Sequence, residues 1–213
     1  MNMKPIIFST TMVQAILEGR KTQTRRVIKP QPLDEFKFCV NTGGVPTIML
    51  PYSCIVSRIW RSDILYVREK WTTECGMLTN ALDGKKIHYC ADCKEDTTGL
   101  FLPCKWKKRP SIHMKRENAR IFLRVTDVRC ERLRDISGED AAEEGTPLEW
   151  SDELPKPSYH SLAYNEMCVK PAMIKAFSEL WDSLNAKRGY GWDVNPWVWV
   201  YEFERCEKDG GDE

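Results

Sequence analysis

Gly19-Arg20-Lys21-Thr22-Gln23-Thr24-Arg25-Arg26 places four cations and two hydroxyls in the seven residues after a glycine. Just upstream, Met12, Val13, Ile16 and Leu17 recur at helical spacing. A helix is therefore expected from Ser9 or Thr10 to Glu18, with Thr11 and Gln14 as a capping box. Gly19 suits the left-handed position that ends a helix. If the basic run were a regular strand, Lys21 and Thr24 would point to opposite faces, so a joint role for them requires a bend right after Gly19. The plainer reading is a solvated basic hairpin that only solubilises a surface.

Outward from this run, Lys4-Pro5-Ile6-Ile7-Phe8 reads as a brief strand, and Val27-Ile28 leads to prolines at 30 and 32. Residues 30–60 read as irregular, apart from a turn at Asn41-Thr42-Gly43-Gly44 and a short strand at Cys54-Ile55-Val56. Ser62 to Glu69 is a polar turn and a core strand whose end delivers Arg68 and Glu69, an oppositely charged pair suited to a pocket wall or a strand edge. Ile121, Leu123 and Val125 alternate with Phe122, Arg124 and Thr126 in a strand that continues through Val128. Ser137 opens a short acidic helix that should end at Gly145 and carries Glu139, Asp140, Glu143 and Glu144. Pro171 starts a helix in which Met173, Ile174, Phe177, Leu180, Trp181 and Leu184 form a core stripe. In the last strand Trp197, Trp199, Tyr201 and Phe203 share one face.

Short strands with helices at their edges predict an α+β fold, a small barrel with closed or covered edges. The 213 residues are expected to form a single domain over 1–206. An irregular insertion is expected at 72–108, a Pro-rich connection at 146–170 and a flexible tail at 207–213. Lys and Arg number 32 against 31 Asp and Glu, so total charge does not point to wholesale coating of nucleic acid. No apolar run of about 18 residues is present, and the N-terminus lacks the order of a signal peptide. A cytoplasmic protein without a membrane partner is expected. Nine scattered cysteines without framework spacing read as reduced thiols.

The first helix, the Gly19–Arg26 run, Asp63-Ile64-Leu65-Tyr66-Val67-Arg68-Glu69, the Ser137–Gly145 helix and the terminal aromatic strand occur in one order that resembles the ASCH domain, a group of PUA-like β-barrels associated with RNA. Arg109-Pro110-Ser111-Ile112-His113-Met114 and Leu180-Trp181-Asp182-Ser183-Leu184-Asn185 resemble the longer form encoded by bacteriophages and prophages. The resemblance implies a PUA-like barrel in a bacterial host cytoplasm. Small bacterial ASCH proteins include amidohydrolases that remove acyl groups from the exocyclic nitrogen of cytidine. Their Gly-x-Lys-x-x-Thr turn and helical glutamate match Lys21, Thr24 and Glu144, with Glu143 one register away.

Amide hydrolysis needs a nucleophile, a base to activate it and an acid for the leaving amine. Thr24, Lys21 and Glu144 can fill these roles if burial and the neighbouring Arg20, Arg25 and Arg26 lower the lysine pKa. A glutamate at a helix C-terminus among other acids favours its protonated form, which suits a proton donor. Arg20, Arg26, Arg68, Glu69 and Trp192 are candidate substrate-binding residues, and the substrate class is a nucleoside or modified base. The rival reading is a binding module without turnover, or a ribonuclease, that holds single-stranded RNA. It would use the basic run, a second basic stretch from Lys105 through Arg109 to Arg120, and the aromatics Tyr190, Trp192 and Trp197. No cofactor is expected. The alternative is a structural zinc held by Cys90, Cys93, Cys104 and His88, since one CxxC is half a zinc site.

Overall fold

The computed structural model describes residues 3–31, 37–40, 45–50, 53–72, 87–92, 109–146 and 169–208. The fold is α+β. Strands β1 (Met3–Ile7), β2 (Gln23–Val27), β6 (Ile64–Arg68), β9 (Phe122–Arg132) and β10 (Trp197–Cys206) form a mixed five-stranded sheet in the order β1-β6-β9-β10-β2. The chain divides into two compact units, one built from Met1–Leu17, Asp63–Arg124 and Arg205–Glu213, the other from Glu18–Ser62 and Val125–Glu204.

In the first unit β1 pairs parallel with β6, Met3 opposite Ile64 and Ile7 opposite Arg68. A parallel pair requires a crossover, and helix α1 (Thr10–Leu17) lies in that connection. Ile64, Leu65, Tyr66 and Val67 are all buried, as expected of an inner strand covered on both faces. Ile64, Tyr66, Phe122 and Cys206 form one apolar cluster. The cap of α1 differs from the expected box: Ser9 Oγ accepts from the Met12 amide at 3.3 Å. Gln14 instead reaches out to the Ala91 carbonyl at 3.1 Å. The helix stops before Gly19, whose φ of +74° is left-handed.

In the second unit β10 pairs antiparallel with β2, Val200 opposite Arg25 and Tyr201 opposite Thr24. Helix α2 (Gly138–Glu143) and helix α3 (Lys170–Asn185) accompany these strands. Ser137 caps α2 with a true capping box: its hydroxyl accepts from the Asp140 amide at 3.0 Å, and the Asp140 carboxylate accepts from the Ser137 amide at 3.4 Å. Gly145 follows at φ +74°. Leu133, Ile136, Ala141, Phe177, Trp181, Val198 and Val200 form the core, with Met173, Ile174 and Trp192 packed against it. Each large side chain fully buried there stabilises by about 1.5–3 kcal/mol. The expected stripe on α3 is shorter than the periodicity suggests, because Leu184 is exposed.

The described part of residues 30–60 holds the short strand expected at Cys54-Ile55-Val56 and two more besides, where an irregular chain was expected; the expected turn at 41–44 lies outside the described residues. Strands β3 (Lys37–Val40), β4 (Pro46–Leu50) and β5 (Ser53–Val56) form an antiparallel meander. Polar and apolar residues do not alternate cleanly there, so strand periodicity is hidden. Strands β7 (Trp71–Thr72) and β8 (His88–Tyr89) pair antiparallel at the start of the expected insertion, of which residues 73–86 and 93–108 lie outside the described residues, as do 147–168 of the Pro-rich connection and 209–213 of the tail.

One close approach yields a test. A methyl group on Gly138 would stand 2.7 Å from the Lys170 Cα, which is backbone and cannot swing away. Gly138→Ala is therefore expected to push α2 and α3 apart and to cost about 1–3 kcal/mol, read as a lower denaturation midpoint in urea. An unchanged midpoint would show that the start of α3 is not seated on α2.

Candidate functional site

Tertiary contact turns the basic run inward. The Thr22 amide donates to the Glu143 carbonyl at 2.9 Å, and the Phe203 amide donates to the Thr22 carbonyl at 2.8 Å. This clamps the segment between the end of α2 and β10, and Lys21 bridges Glu144 in antiparallel fashion. Glu144 is the C-cap of α2. The Lys21 ammonium donates to the Glu144 backbone carbonyl and to Glu144 Oε2, both at 2.7 Å. A cation on the last carbonyls of a helix also meets the negative end of its dipole. The side chains are 0% and 4% exposed. A solvated hairpin is thus excluded.

Arg25 secures the other Glu144 oxygen, donating from Nη1 to Oε1 at 3.2 Å. Its Nε and Nη2 donate to Glu131 Oε1 at 2.9 and 2.6 Å, and Nη2 lies 3.4 Å from Asp140 Oδ2. Gln23, on the same face of β2, donates to Asp140 Oδ1 at 2.8 Å and to Glu143 Oε2 at 3.1 Å. Arg129 continues the network to Glu131 at 3.3 Å, Asp140 at 3.2 Å and the Gln23 carbonyl oxygen at 3.1 Å, and it also pairs with Glu202. The result is an ionic layer, buried at Lys21, Arg25 and Glu144 and open toward Arg129 and Glu202, in which cations and carboxylates alternate.

Burial lowers the Lys21 pKa below its ordinary 10.5, and Arg26 and Arg25 add to that; the charge and hydrogen bond of Glu144 oppose it without reversing it. Asp140 goes the other way from simple burial. Desolvation favours its neutral form, but the Gln23 hydrogen bond and the charges of Arg25 and Arg129 outweigh this and hold its carboxyl below the ordinary value. Burial beside Asp140 and Glu202 raises the Glu143 carboxyl. On β9, burial pushes the Cys130 thiol up to about 12, so it is no thiolate nucleophile at neutral pH.

Thr24 is buried, but it enters none of the hydrogen bonds of this layer. Strand alternation puts it on the face of β2 opposite Gln23 and Arg25, with Tyr201 as its cross-strand neighbour. The expected bend therefore does not make Lys21 and Thr24 a bonded pair. Glu144 differs from the expected proton donor as well: both its carboxylate oxygens accept from cations, so the donor in the pair is the Lys21 ammonium. On the Thr24 face, Tyr201 Oη and Ser57 Oγ are 3.1 Å apart. Desolvation raises the Tyr201 phenol to about 12 against the Ser57 hydrogen bond and the Arg26 and Arg58 charges. Half-buried Arg26 lies within electrostatic reach of Glu144, Tyr201 and Arg188, and burial lowers its pKa.

The remaining candidates are placed elsewhere. Arg20 pairs with Glu18 at 2.5 Å and donates to the Gly145 carbonyl at 3.3 Å. Trp192 packs edge-on to Phe177, ring centroids 6.2 Å apart, against the core. Arg68 and Glu69 belong to the first unit and have separate partners. Arg68 donates to Tyr66 Oη at 3.0 Å and the Ile112 carbonyl at 3.2 Å. Buried Glu69 accepts from Arg120 at 3.0 and 3.2 Å, and Arg120 also pairs with Asp92 at 2.7 Å and stacks on Tyr89 at 4.0 Å. Burial raises the Glu69 carboxyl against the pull of Arg120.

Of the expected zinc set, Cys93, Cys104 and the His88 side chain lie outside the described residues, which leaves half-buried Cys90. Among the described residues no group of His, Cys, Asp or Glu is arranged to hold a metal ion. No described helix is long and apolar enough to cross a membrane.

Gln23, Arg129, Glu131 and Tyr201 are site residues that sequence reasoning missed, and Arg25 and Asp140 take ion-pair roles that it did not assign. The available signal was the period of two on β2, which puts Gln23 and Arg25 together. Nothing local pointed to Glu131 as their partner. Compared with known proteins, the chain matches no protein-family model, no curated protein and no solved structure.

Proposed function

We propose that this chain is an ASCH-type protein with a PUA-like barrel that hydrolyses the amide of an N4-acylated cytosine in the cytoplasm. The observation that carries this reading is the Lys21–Glu144 pair. Two residues 123 positions apart, which the resemblance couples in one active site, meet at 2.7 Å with both side chains buried. A lysine whose ammonium is weakened by burial gives up its proton more readily than an exposed one.

In the proposed cycle the Thr24 hydroxyl attacks the acyl carbon while its proton passes to the neutral Lys21 amine. The ammonium formed is held on Glu144 and protonates the exocyclic nitrogen as the C–N bond breaks. Water then attacks the Thr24 ester, again giving a proton to Lys21, and that proton returns to the Thr24 oxygen as the acid departs. Thr24 has to approach Lys21 when substrate binds, because it starts on the other face of β2.

The reading as a nucleic-acid binding module loses support from the same geometry. Lys21 and Arg25 face buried carboxylates and Arg20 faces Glu18, so most of the basic run is already neutralised. Wild-type protein and Thr24→Val, which keeps the shape and drops the hydroxyl, separate the possibilities when N4-acetylcytidine is followed by absorbance. Turnover reduced about 10³-fold in the variant is the expected result. Equal rates would remove Thr24 as nucleophile, and no turnover by wild type with several acyl groups would remove the amidohydrolase.

A further inference from the structure

Two buried donors in the first unit have no acceptor. Arg68 Nε and Trp71 Nε1 are both sealed from solvent, and neither makes a hydrogen bond. Folded proteins pair nearly all such groups, so two exceptions three residues apart require a cause. One segment, residues 109–112, touches both residues. The Trp71 amide donates to the Arg109 carbonyl at 3.4 Å and the Arg109 amide to the Trp71 carbonyl at 2.7 Å. The Arg109 guanidinium lies over the Trp71 ring, 5.2 Å from its centroid. At the other end of the segment the Ile112 carbonyl accepts from Arg68 Nη1 at 3.2 Å. Three residues of chain span at most about 10 Å, and a tight turn at Ser111–His113, closed by the His113 amide on the Pro110 carbonyl at 3.1 Å, shortens that span. Charge is unbalanced at the same place. The other partner of Arg68 is the neutral Tyr66 hydroxyl at 3.0 Å. In this unit Asp63 pairs with Lys4, Glu69 and Asp92 with Arg120, and Glu117 with Lys115. Among the described residues neither Arg68 nor Arg109 belongs to an ion pair.

We propose that Arg68, Trp71 and Arg109 bind a phosphoryl oxyanion. The groups left over here are all donors, two guanidinium N–H sets and one indole N–H, so the ligand has to bring acceptors and negative charge. A guanidinium matches phosphate oxygens in geometry and charge. Tetrahedral oxygens also accept from several directions at once, whereas a planar carboxylate is filled by one fork. Arg109 is exposed and its side chain covers the indole, so it turns from the ring onto the oxyanion as the ligand enters and uncovers Nε1. The turn that carries Arg109 thereby gains a role that the Lys21–Glu144 reading leaves open, and the proposal needs nothing from that reading. The phosphoryl group can be free or part of a nucleic-acid strand, and the chemistry at the donors is the same.

The test follows the Trp71 indole N–H in nitrogen–proton correlation spectra of the full chain, its resonance identified by its loss in Trp71→Phe. Inorganic phosphate, the trinucleotide UpUpU and acetate are titrated at constant ionic strength. Wild type is compared with Arg109→Gln and with Lys115→Gln, which removes an exposed charge just past the turn. The indole resonance is expected to move downfield and saturate with phosphate, as a donor gaining an acceptor does. Binding is expected to weaken at least about tenfold in Arg109→Gln and to hold in Lys115→Gln. Unmoved resonances of the other indoles show that the variants keep the fold. Saturation at lower concentration by UpUpU than by phosphate, again weakened in Arg109→Gln, identifies a strand as the source; saturation by phosphate alone identifies a free phosphoryl group. No saturable shift with either, an equal shift with acetate, or binding that Arg109→Gln leaves unchanged overturns the site. The readout is independent of turnover, so failure here leaves the hydrolase untouched and failure of the hydrolase leaves this site untouched.

Discussion

Lys21→Met is expected to lose about 3–5 kcal/mol of stability, because it leaves the Glu144 carboxylate buried without its nearest cation. In a chain of this size that lowers the melting temperature by on the order of 10 °C. Methionine fills most of the lysine's volume, so the loss reports charge rather than a cavity. An exposed lysine, by contrast, contributes few core contacts and costs little when replaced. Adding Glu144→Gln is expected to restore part of the loss, since the pair is then neutral on both sides. A melting temperature within about 2 °C of wild type would show that the pair does not hold the fold. Turnover, under the proposed function, is expected to fall about 10²–10⁴-fold.

The pH dependence has a definite sign. The folded state lowers the Lys21 pKa below 10.5, so between the lowered value and 10.5 the unfolded chain binds more protons than the folded one. Stability from this group therefore rises with pH across that window. The Lys21→Met variant lacks the rise. Tyr201 acts oppositely between 10 and about 12, where the folded state retains a proton that the unfolded chain has lost, so the comparison belongs below pH 10. Activity is expected to have an acid limb at the lowered Lys21 value, and a limb that survives Lys21→Met belongs to another group.

Arg25→Met is expected to be at least as damaging, about 5 kcal/mol, since one guanidinium serves Glu131, Asp140 and Glu144 at once. Its side chain is 0% exposed, and water does not replace it. The defect shrinks in acid. Asp140 has a depressed folded pKa, so the stability it contributes is present above its unfolded value and lost as pH falls through the folded one. Arg25 supplies part of that depression. Wild type therefore loses more than the variant on acidification, and the two denaturation midpoints are expected to converge. A gap that stays constant down to pH 3 would show that the damage is steric rather than ionic.

Local physics made much of the chain legible in advance. The glycines at 19 and 145 end their helices at φ +74°, because only glycine takes that conformation without strain. Ser137 caps α2, and the apolar runs at Ile64–Val67, Phe122–Val128 and Trp197–Phe203 are strands, because caps and periods act over a few residues. Strands β3 and β4 stayed hidden, and only β5 of the meander was foreseen, because the meander's pairing is set by partner strands, not by its own alternation.

The sequence by itself determined the three helices, the strands β1, β5, β6, β9 and β10, and which residues share a face of each. Lys21 and Glu144 were coupled in advance only by family resemblance. Tertiary structure decided which charges meet. Arg25 finds Glu131 across 106 positions and Lys21 finds Glu144 across 123, and no local pattern encodes such a pairing. It also decided that Lys21 and Arg25 of the most basic run lie buried. Hydration favours exposed charge, and here only paired carboxylates brought in by α2 and β9 make burial tolerable.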